Sequence, residues 1–558
     1  MHVPQTHTDS LYFEYPMFAF APPAELDGNT RTQMIHPVLI AGGGPSGLIA
    51  ALELARFGIR CVVLEADETV SEGSRAACVS RRSMEILQLN GIDQPFLAQA
   101  LPWTHGTSYY QNQPIYRLEM PHSADQRFYP MANLQQNLFE ALLVQRIEQF
   151  PDLIEIRWQS KVVGVEQDAQ SVRLRVDTPI GEYSVRGQYV IAADGARSAL
   201  RTLLGLRLNG ESFEGRYLIA DIHMASSYPT ERRAWFDPPT NPGNTVLMHK
   251  MARDMWRIDY QLDDNADEAF ELERQRVVAR IQQHLDWIGE STPWQLDWMR
   301  LYKAHCLCLD DYRQNRVFFI GDAAHLVPIF GVRGMNSSIA DANNLGWKLA
   351  AVLNGQAPDQ LLDSYSPERR AATFDIFENA RKSTIFMTPP STGYRLMRDA
   401  ALQLAIDHDW AKPFINPRQS APYDYADSAW VSADQDDWSK GAETGLGASA
   451  GPGAPLHSVR LAEGDFLTER IGCGFTLFMI NCPPDPHSSD GPSADESLRT
   501  WLSQRKIERR SIAIEGQDAA LFLVRPDGHV CARFKCLDLA ALAAAHDRAL
   551  SCATLPCL

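Results

Sequence analysis

The sequence predicts an α/β protein: a Rossmann-like dinucleotide-binding domain interrupted by a β-sheet region, with a small α/β domain appended. A strand, glycine turn, helix and second strand occupy 36–67. Two further buried-strand runs end in Asp194-Gly195 and Gly321-Asp322. Between them, "TVLMHKM" and "WRIDYQL" alternate with the period of strands. At 558 residues the chain is too long for one core and long enough for two or three domains.

The first unit reads "HPVLIAGGGPSGLIAALELARFGIRCVVLEAD". "VLIA" is a short buried strand, "LIAALELARFG" has helical spacing and reaches a C-cap at Gly58, and "RCVVLE" is a second strand. Gly42, Gly44 and Gly47 form GxGxxG. The first permits a tight turn, the second lets backbone approach a phosphate, and the third lets helix and strand pack closely. The helix N-terminus then offers free N–H groups to a pyrophosphate. Glu65 ends the second strand, where a carboxylate suits the ribose hydroxyls of an adenosine and repels a 2′-phosphate. The finger alone does not separate NAD from FAD, because both present an ADP half.

The second and third units follow the same logic. In "YVIAADGARSALRTLLGL" a strand ends at Asp194, and Arg197, Ser198 and Arg201 follow at a helix start. "VFFIGDAAH" ends at Asp322. Gly334, Met335 and Asn336 then precede a helix with apolar spacing at Ile339, Ala342, Leu345, Leu349 and Val352.

These three motifs in this order, closing on "DANNLGWKLA", resemble the single-component FAD-dependent aromatic hydroxylases of the para-hydroxybenzoate hydroxylase type. The run around "WRIDYQL" and the tail suggest the branch with 3-(3-hydroxyphenyl)propionate hydroxylase and phenol hydroxylase. The resemblance implies FAD as cofactor. It implies that Asp322 bonds a ribitol hydroxyl and that the helix after Gly334 aims its N-terminus at the flavin N1–C2=O edge. Arg75 resembles the arginine near the pyrophosphate and the moving flavin loop. Gln136 matches a cofactor-touching glutamine, with Gln135 leaving the register open. Asp194 resembles an aspartate tied to FAD and nicotinamide binding. The usual loop, Pro-Pro-x-Gly-Gly-Gln-Gly-x-Asn, here has Ile329, Val332 and Arg333 at its second Pro, second Gly and Gln. Pro328 keeps its place, where a backbone carbonyl can face the substrate. Arg333 is either a cation for reduced flavin or an acidic substrate, or a surface charge.

The resemblance divides the chain into an N-terminal arm (1–35), a discontinuous FAD-binding domain (36–215 and 305–415), a substrate-binding sheet (216–304), a Pro/Gly/Ser/Ala-rich linker (416–455) and a thioredoxin-like domain (456–558). The last lacks CxxC, having a single Cys473 in "IGCGF". A structural or dimer-contact role is therefore expected of it, and a homodimer stays open. Its signals are the strand-like "GFTLFMI", "SIAIEG" and "ALFLVRPDGHVCARF", with Pro526-Asp527-Gly528 as a hairpin turn.

On the substrate side, Trp256, Ile258 and Tyr260 share one strand face, and Leu247 and His249 another. Either face suits an aromatic ring or plain core. His249 and Tyr260 are candidates for deprotonating a phenol. No catalytic residue is assigned, since the reactive oxygen sits on the cofactor. The expected reaction is hydroxylation of a phenolic substrate, with NADH or NADPH reducing the flavin and O2 adding at its C4a carbon as a hydroperoxide. An epoxidase or other non-aromatic monooxygenase shares these motifs. A halogenase would carry WxWxIP, which is absent. A GDI-like binding protein on the FAD scaffold is the non-enzyme alternative.

Composition narrows the class. A formal charge of −17 argues against non-specific binding to nucleic acid or anionic lipid. Ten scattered Cys without CxxC match no metal site or redox dithiol, and suit free thiols in a reducing cytosol. No apolar run is long enough to span a membrane, and the first residues lack a secretory pattern. The expectation is a cytoplasmic protein with no metal.

Overall fold

The computed structural model describes residues 9–27, 34–263, 265–328, 331–415, 421–436, 438, 450–482 and 494–552. An eight-stranded sheet forms the first layer. Its parallel centre runs Val317–Phe319, Gly181–Ala192, Ile35–Ala41, Cys61–Leu64, Ile154–Arg157. Cys61–Leu64, Val317–Phe319, Val38–Ala41 and the end of the second strand, Tyr189–Ala192, are continuously apolar and buried at the centre of the sheet. The finger helix, Pro45–Arg56, ends in a Schellman motif: Gly58 N–H bonds Ala55 O at 2.9 Å, and Ile59 N–H bonds Leu54 O at 3.0 Å. It packs against the long helix Gly334–Leu353 so closely that a Cβ on Gly346 would lie 2.6 Å from Glu53 Cβ.

The second sheet also has eight strands, antiparallel except that Arg232–Phe236 runs parallel to His105–Tyr110. It takes His105–Tyr110 and Gln113–Glu119 from the part of the chain assigned above to the FAD-binding domain. Strands Asn209–Met224 and Trp294–Cys308 run unbroken through the expected boundaries at 215/216 and 304/305. Long paired strands carry the chain from one domain into the other, so no hinge of loop residues marks the border.

A third sheet has the order Glu508–Ile512, Thr476–Ile480, Ala520–Val524, Val530–Phe534. Its first pair is parallel and the others antiparallel. The hairpin at Pro526-Asp527-Gly528 forms, with Gly528 at φ +83°. The expected linker is a wall at its described residues. Tyr425 and Ala450 are buried, and Gly453 N–H bonds Val530 O at 2.7 Å. Its Pro and Gly serve packed turns rather than a free tether.

The arm lies along the first domain. Phe18 stacks on Trp158 at 4.1 Å, and Tyr15 OH accepts a bond from Gly73 N–H at 2.9 Å. Ser10 hydroxyl and Leu11 N–H both bond Asp297 on the second sheet. Among the described residues no helix is long and apolar enough to cross a membrane, and no cluster of His, Cys, Asp and Glu is arranged to hold a metal.

Candidate functional site

The glycine finger has three different surroundings. Gly42 sits at φ +105°, and a Cβ there would lie 2.4 Å from Ala193 O. A Cβ on Gly47 would lie 2.0 Å from Gly42 O. A Cβ on Gly44 would meet nothing within 4 Å, although Gly44 is the N-cap of the helix. Gly42 and Gly47 are therefore glycine for the fold, and Gly44 for what approaches from outside. Glu65 faces the same loop. Its carboxylate accepts bonds from Gly43 N–H and, at 2.9 Å, Asp67 N–H. Burial pushes its pKa up to about 7, against the pull of those two N–H groups.

The Gly321-Asp322 turn lies between two helix N-termini. Gly321 has φ +58°, and a Cβ there would sit 2.9 Å from Ser338 Oγ and 3.1 Å from Ser46 Oγ. Ser46 belongs to the first turn of the finger helix, and Ser338 is the fifth residue of the long helix. Asp322 is open to solvent on the floor of this crowded groove, and makes no hydrogen bond or ion pair among the described residues. Desolvation by the packed walls around it raises its pKa even though solvent reaches the side chain, while His325, Arg75 and Arg201 draw it down.

The turn is held from behind. Asp341 accepts bonds from Gly321 N–H at 2.9 Å, His325 Nε2 at 2.7 Å and Arg369 Nε at 2.6 Å. His325 and Asp341 are fully buried, and Arg369 and His325 beside it keep the Asp341 carboxyl below its ordinary range. Arg201 donates to Ala323 O at 3.1 Å. Sequence reasoning missed this support, although "GDAAH" and "DANN" contain His325 and Asp341.

The remaining residues spread over two layers of the site. Asp194 accepts Leu200 N–H at 3.0 Å through one oxygen, and leaves Oδ1 buried without a partner. Arg75 is exposed, on the segment that Gln136 ties down: Gln136 N–H donates to Ser74 Oγ at 3.0 Å and its Oε1 accepts Ala76 N–H at 3.3 Å. Gln135 instead turns to the second sheet and donates to Ala252 O at 2.9 Å. Gly334 and Met335 open the long helix. Asn336 spends its side chain inside the protein, accepting from Ser80 N–H (2.8 Å) and Ser83 Oγ (2.6 Å) and donating to Cys78 O (3.1 Å) and Val332 O (2.8 Å). Its amide is thus a clamp, and only its backbone faces the helix end. Val332 adopts φ +60°, a left-handed conformation that a β-branched residue rarely takes. Pro328 is buried, next to Val327, whose carbonyl accepts Tyr302 OH at 2.9 Å. Ile329 and Phe330 lie outside the described residues. Arg333 is only 4% exposed, so it is no surface charge.

The substrate-side expectation for Tyr260 is corrected. Trp256, Ile258 and Tyr260 point away from the first domain and pack with Val277, Ile281 and Leu285 of the helix Arg274–Trp287. Tyr260 is fully buried, its OH donates to Arg280 O at 3.3 Å, and burial drives its pKa far up. It is core, and no base. The inner face instead carries His249, Arg257, Asp259 and Arg232. Arg257 bonds Asp221 twice, at 2.9 Å each, and reaches the carbonyls of Ser74 and Arg75. His249 does lie on this face. Burial and the two arginines hold its pKa well below the ordinary value, so it is neutral.

Comparison with known proteins now decides the cofactor. Residues 36–380, more than half of the chain, match the family model described as "FAD binding domain". The chain belongs to this FAD-binding family. It is 32% identical over 370 residues to a 3-(3-hydroxy-phenyl)propionate/3-hydroxycinnamic acid hydroxylase of Mycolicibacterium smegmatis, covering 66% of this chain and 64% of that one. It is 29% identical over 377 residues to a para-nitrophenol 4-monooxygenase of Pseudomonas sp., covering 66% and 91%. The chain thus spans less than two thirds of the first of these relatives. Among solved structures, the flavin-dependent monooxygenase PieE in complex with FAD and substrate has the same fold, with TM-score 0.75, 23% identity, and coverage of 93% of this chain and 99% of that one.

The residues fit FAD. Gly44 leaves open the space where a Cβ would stand, at a helix N-terminus without a side-chain cap. Glu65 presents acceptor oxygens beside it. Asp322, accessible and unbonded, follows Gly321, which packs against Ser46 and Ser338 near the starts of both helices. FAD is long, and its ADP and flavin halves need separate anchors; the two helix starts near Gly321 could provide them.

Proposed function

We propose that the protein is an NAD(P)H- and O2-dependent FAD monooxygenase that hydroxylates a phenolic aromatic ring. One observation carries the reading: an open, unbonded Asp322 on a turn flanked by two helix N-termini, one opened by the glycine finger and the other by Gly334. Bound FAD supplies the activated oxygen. Glu65 would accept from ribose hydroxyls of the bound cofactor and Asp322 from a ribitol hydroxyl. The helix opening at Gly334 would offer its positive end to the negative charge that a reduced flavin carries. The second sheet covers the site and excludes water. No second dinucleotide finger is read in the chain, so NAD(P)H meets the flavin from the exposed side, near Arg75 and Asp194. The third sheet, with its second-first-third-fourth strand order, supports the thioredoxin-like reading, and without CxxC its role is structural. A cytoplasmic location is part of the same reading.

The test is the absorbance of purified protein, followed by NADH and NADPH oxidation with and without a panel of phenols. A yellow protein whose oxidation rate rises with one phenol, giving hydroxylated product, supports the reading. A yellow protein indifferent to every phenol moves it to epoxidation or another non-aromatic oxidation. A protein that cannot be reconstituted with FAD overturns it.

A further inference from the structure

We infer that the C-terminal domain braces the FAD site through the tip of its Pro526-Asp527-Gly528 hairpin, with Asp527 and Arg82 as positioning residues. The inference rests on the FAD part of the proposed function and not on the phenolic substrate.

The tip gathers four helices of the first domain. Arg56, the last residue of the finger helix, donates to Pro526 O at 2.6 Å. Arg82, in the first turn of the helix Arg81–Leu89, donates to Asp527 O. Trp347, on the long helix, donates from Nε1 to Asp527 Oδ2 at 3.2 Å. Arg525 pairs with Asp527 and, at 2.8 Å, with Glu368 of the helix Tyr365–Met387. Asp527 and Arg525 are each 1% exposed, so the contact is an interior one.

Each of these helices also reaches the cofactor groove. The finger helix starts at the open Gly44 and sets Ser46 against Gly321. Ser80, which caps Arg81–Leu89, and Ser83 hold Asn336 in the first turn of the long helix, and Arg82 lies between them. The long helix opens at Gly334. Arg369, next to Glu368, bonds Asp341 behind the Gly-Asp turn. The finger helix has 12 residues and is about 18 Å long, and packed helices transmit a shift at one end to the other.

The two states are a docked tip and a locally open one. Buried charge makes the choice nearly all-or-none, since an Arg525 half out of place leaves Glu368 and Asp527 uncompensated. FAD needs both helix starts at one spacing, and so binds the docked state better. By linkage, bound FAD holds the tip closed by the same factor.

The test is the FAD affinity of the full chain, read by fluorescence titration of FAD-free protein. Arg82→Met removes one donor from the tip and weakens FAD binding about ten-fold, the size of a typical coupling between sites. Arg82→Lys keeps a cation beside Asp527 O and recovers part of the loss. Arg533→Met is the control: it breaks the 2.6 Å pair with Asp434 elsewhere on the third sheet, lowers the melting temperature and leaves FAD affinity within about two-fold. In the wild type, FAD slows hydrogen exchange across 525–530 by about ten-fold and leaves the edge strand Glu508–Ile512 unchanged. Wild-type affinity in Arg82→Met, an equal loss in Arg533→Met, or unchanged exchange at 525–530 overturns the inference. If Arg82→Met does not fold, Trp347→Phe, which drops one hydrogen bond and keeps a ring in place, decides together with the wild-type exchange. A wild type that binds no FAD sinks the proposed function and the brace together. FAD held equally by wild type and Arg82→Met sinks the brace alone.

Discussion

Arg525 Nη1 lies 2.8 Å from Glu368 Oε1, and each side chain is 1% exposed. The two residues are 157 positions apart. Lys348 joins Glu368 at 2.7 Å, and Asp527 completes the group on Arg525. The C-terminal domain is therefore bolted to the long helix by buried charge, and Glu368 is held well below the ordinary carboxylate range by Arg525 and Lys348. Arg525→Met leaves Glu368 and Asp527 short of a cation. It is expected to cost about 3–5 kcal/mol, read as a lower denaturant midpoint and faster proteolysis near 421–436. Arg525→Met combined with Glu368→Gln and Asp527→Asn recovers part of that loss.

Gly44→Ala and Gly47→Ala separate ligand from fold. Gly44 has φ −75°, which alanine adopts freely, and open space beyond it. Gly44→Ala keeps the melting temperature of FAD-free protein but loses FAD affinity by about ten-fold or more. Gly47→Ala drives a methyl into Gly42 O and costs about 3 kcal/mol even without FAD. Equal effects on stability would undo the distinction.

Glu65 makes FAD binding depend on pH. Its pKa, raised by burial from 4.5 to about 7, means the FAD-free protein holds this proton at pH 6. Ribose hydroxyls donate to the ionised form, so affinity rises as pH passes through 7. We expect FAD to bind about ten-fold tighter at pH 8 than at pH 6. Glu65→Gln binds weakly and without that slope. In FAD-free protein the same shift works the other way: the stability it contributes is full below 4.5 and is lost as pH rises through 7.

Tyr260→Phe is expected to leave turnover and its pH profile intact, with a stability loss of about 1 kcal/mol for one hydrogen bond. Tyr260→Ala opens a cavity against Val277 and Ile281 and costs about 3–5 kcal/mol. A pH profile altered in Tyr260→Phe would return this residue to the site.

The finger, the Gly-Asp turn and the long helix are legible in sequence because each is local: glycine spacing, an apolar strand and an apolar helical stripe lie within about 30 residues. The faces of "WRIDYQL" are not. Period two separates Trp256, Ile258 and Tyr260 from Arg257, Asp259 and Gln261, but does not say which set looks inward. Here the apolar set packs on a helix and the polar set covers the site, against the usual expectation. Arg525 on Glu368 depends on an approach across 157 positions that no local pattern records, and Asp341, though only 20 positions from the Gly-Asp turn, has nothing in its spacing to show that it turns back to it. Val332 is a partial exception: its departure from the family loop marks a position whose backbone is left-handed, next to Gly331, which is left-handed too.

The arm has a mechanical consequence. Ser10 and Leu11 grip Asp297 on the second sheet, while Tyr15 grips Gly73 in the segment that carries Arg75. Any opening that parts the sheet from the first domain pulls on that segment through a few residues of extended chain. The match to the family begins at residue 36. A chain trimmed there would keep every motif and lose the strap that makes sheet and loop move as one, so the border of resemblance is not the border of the machine.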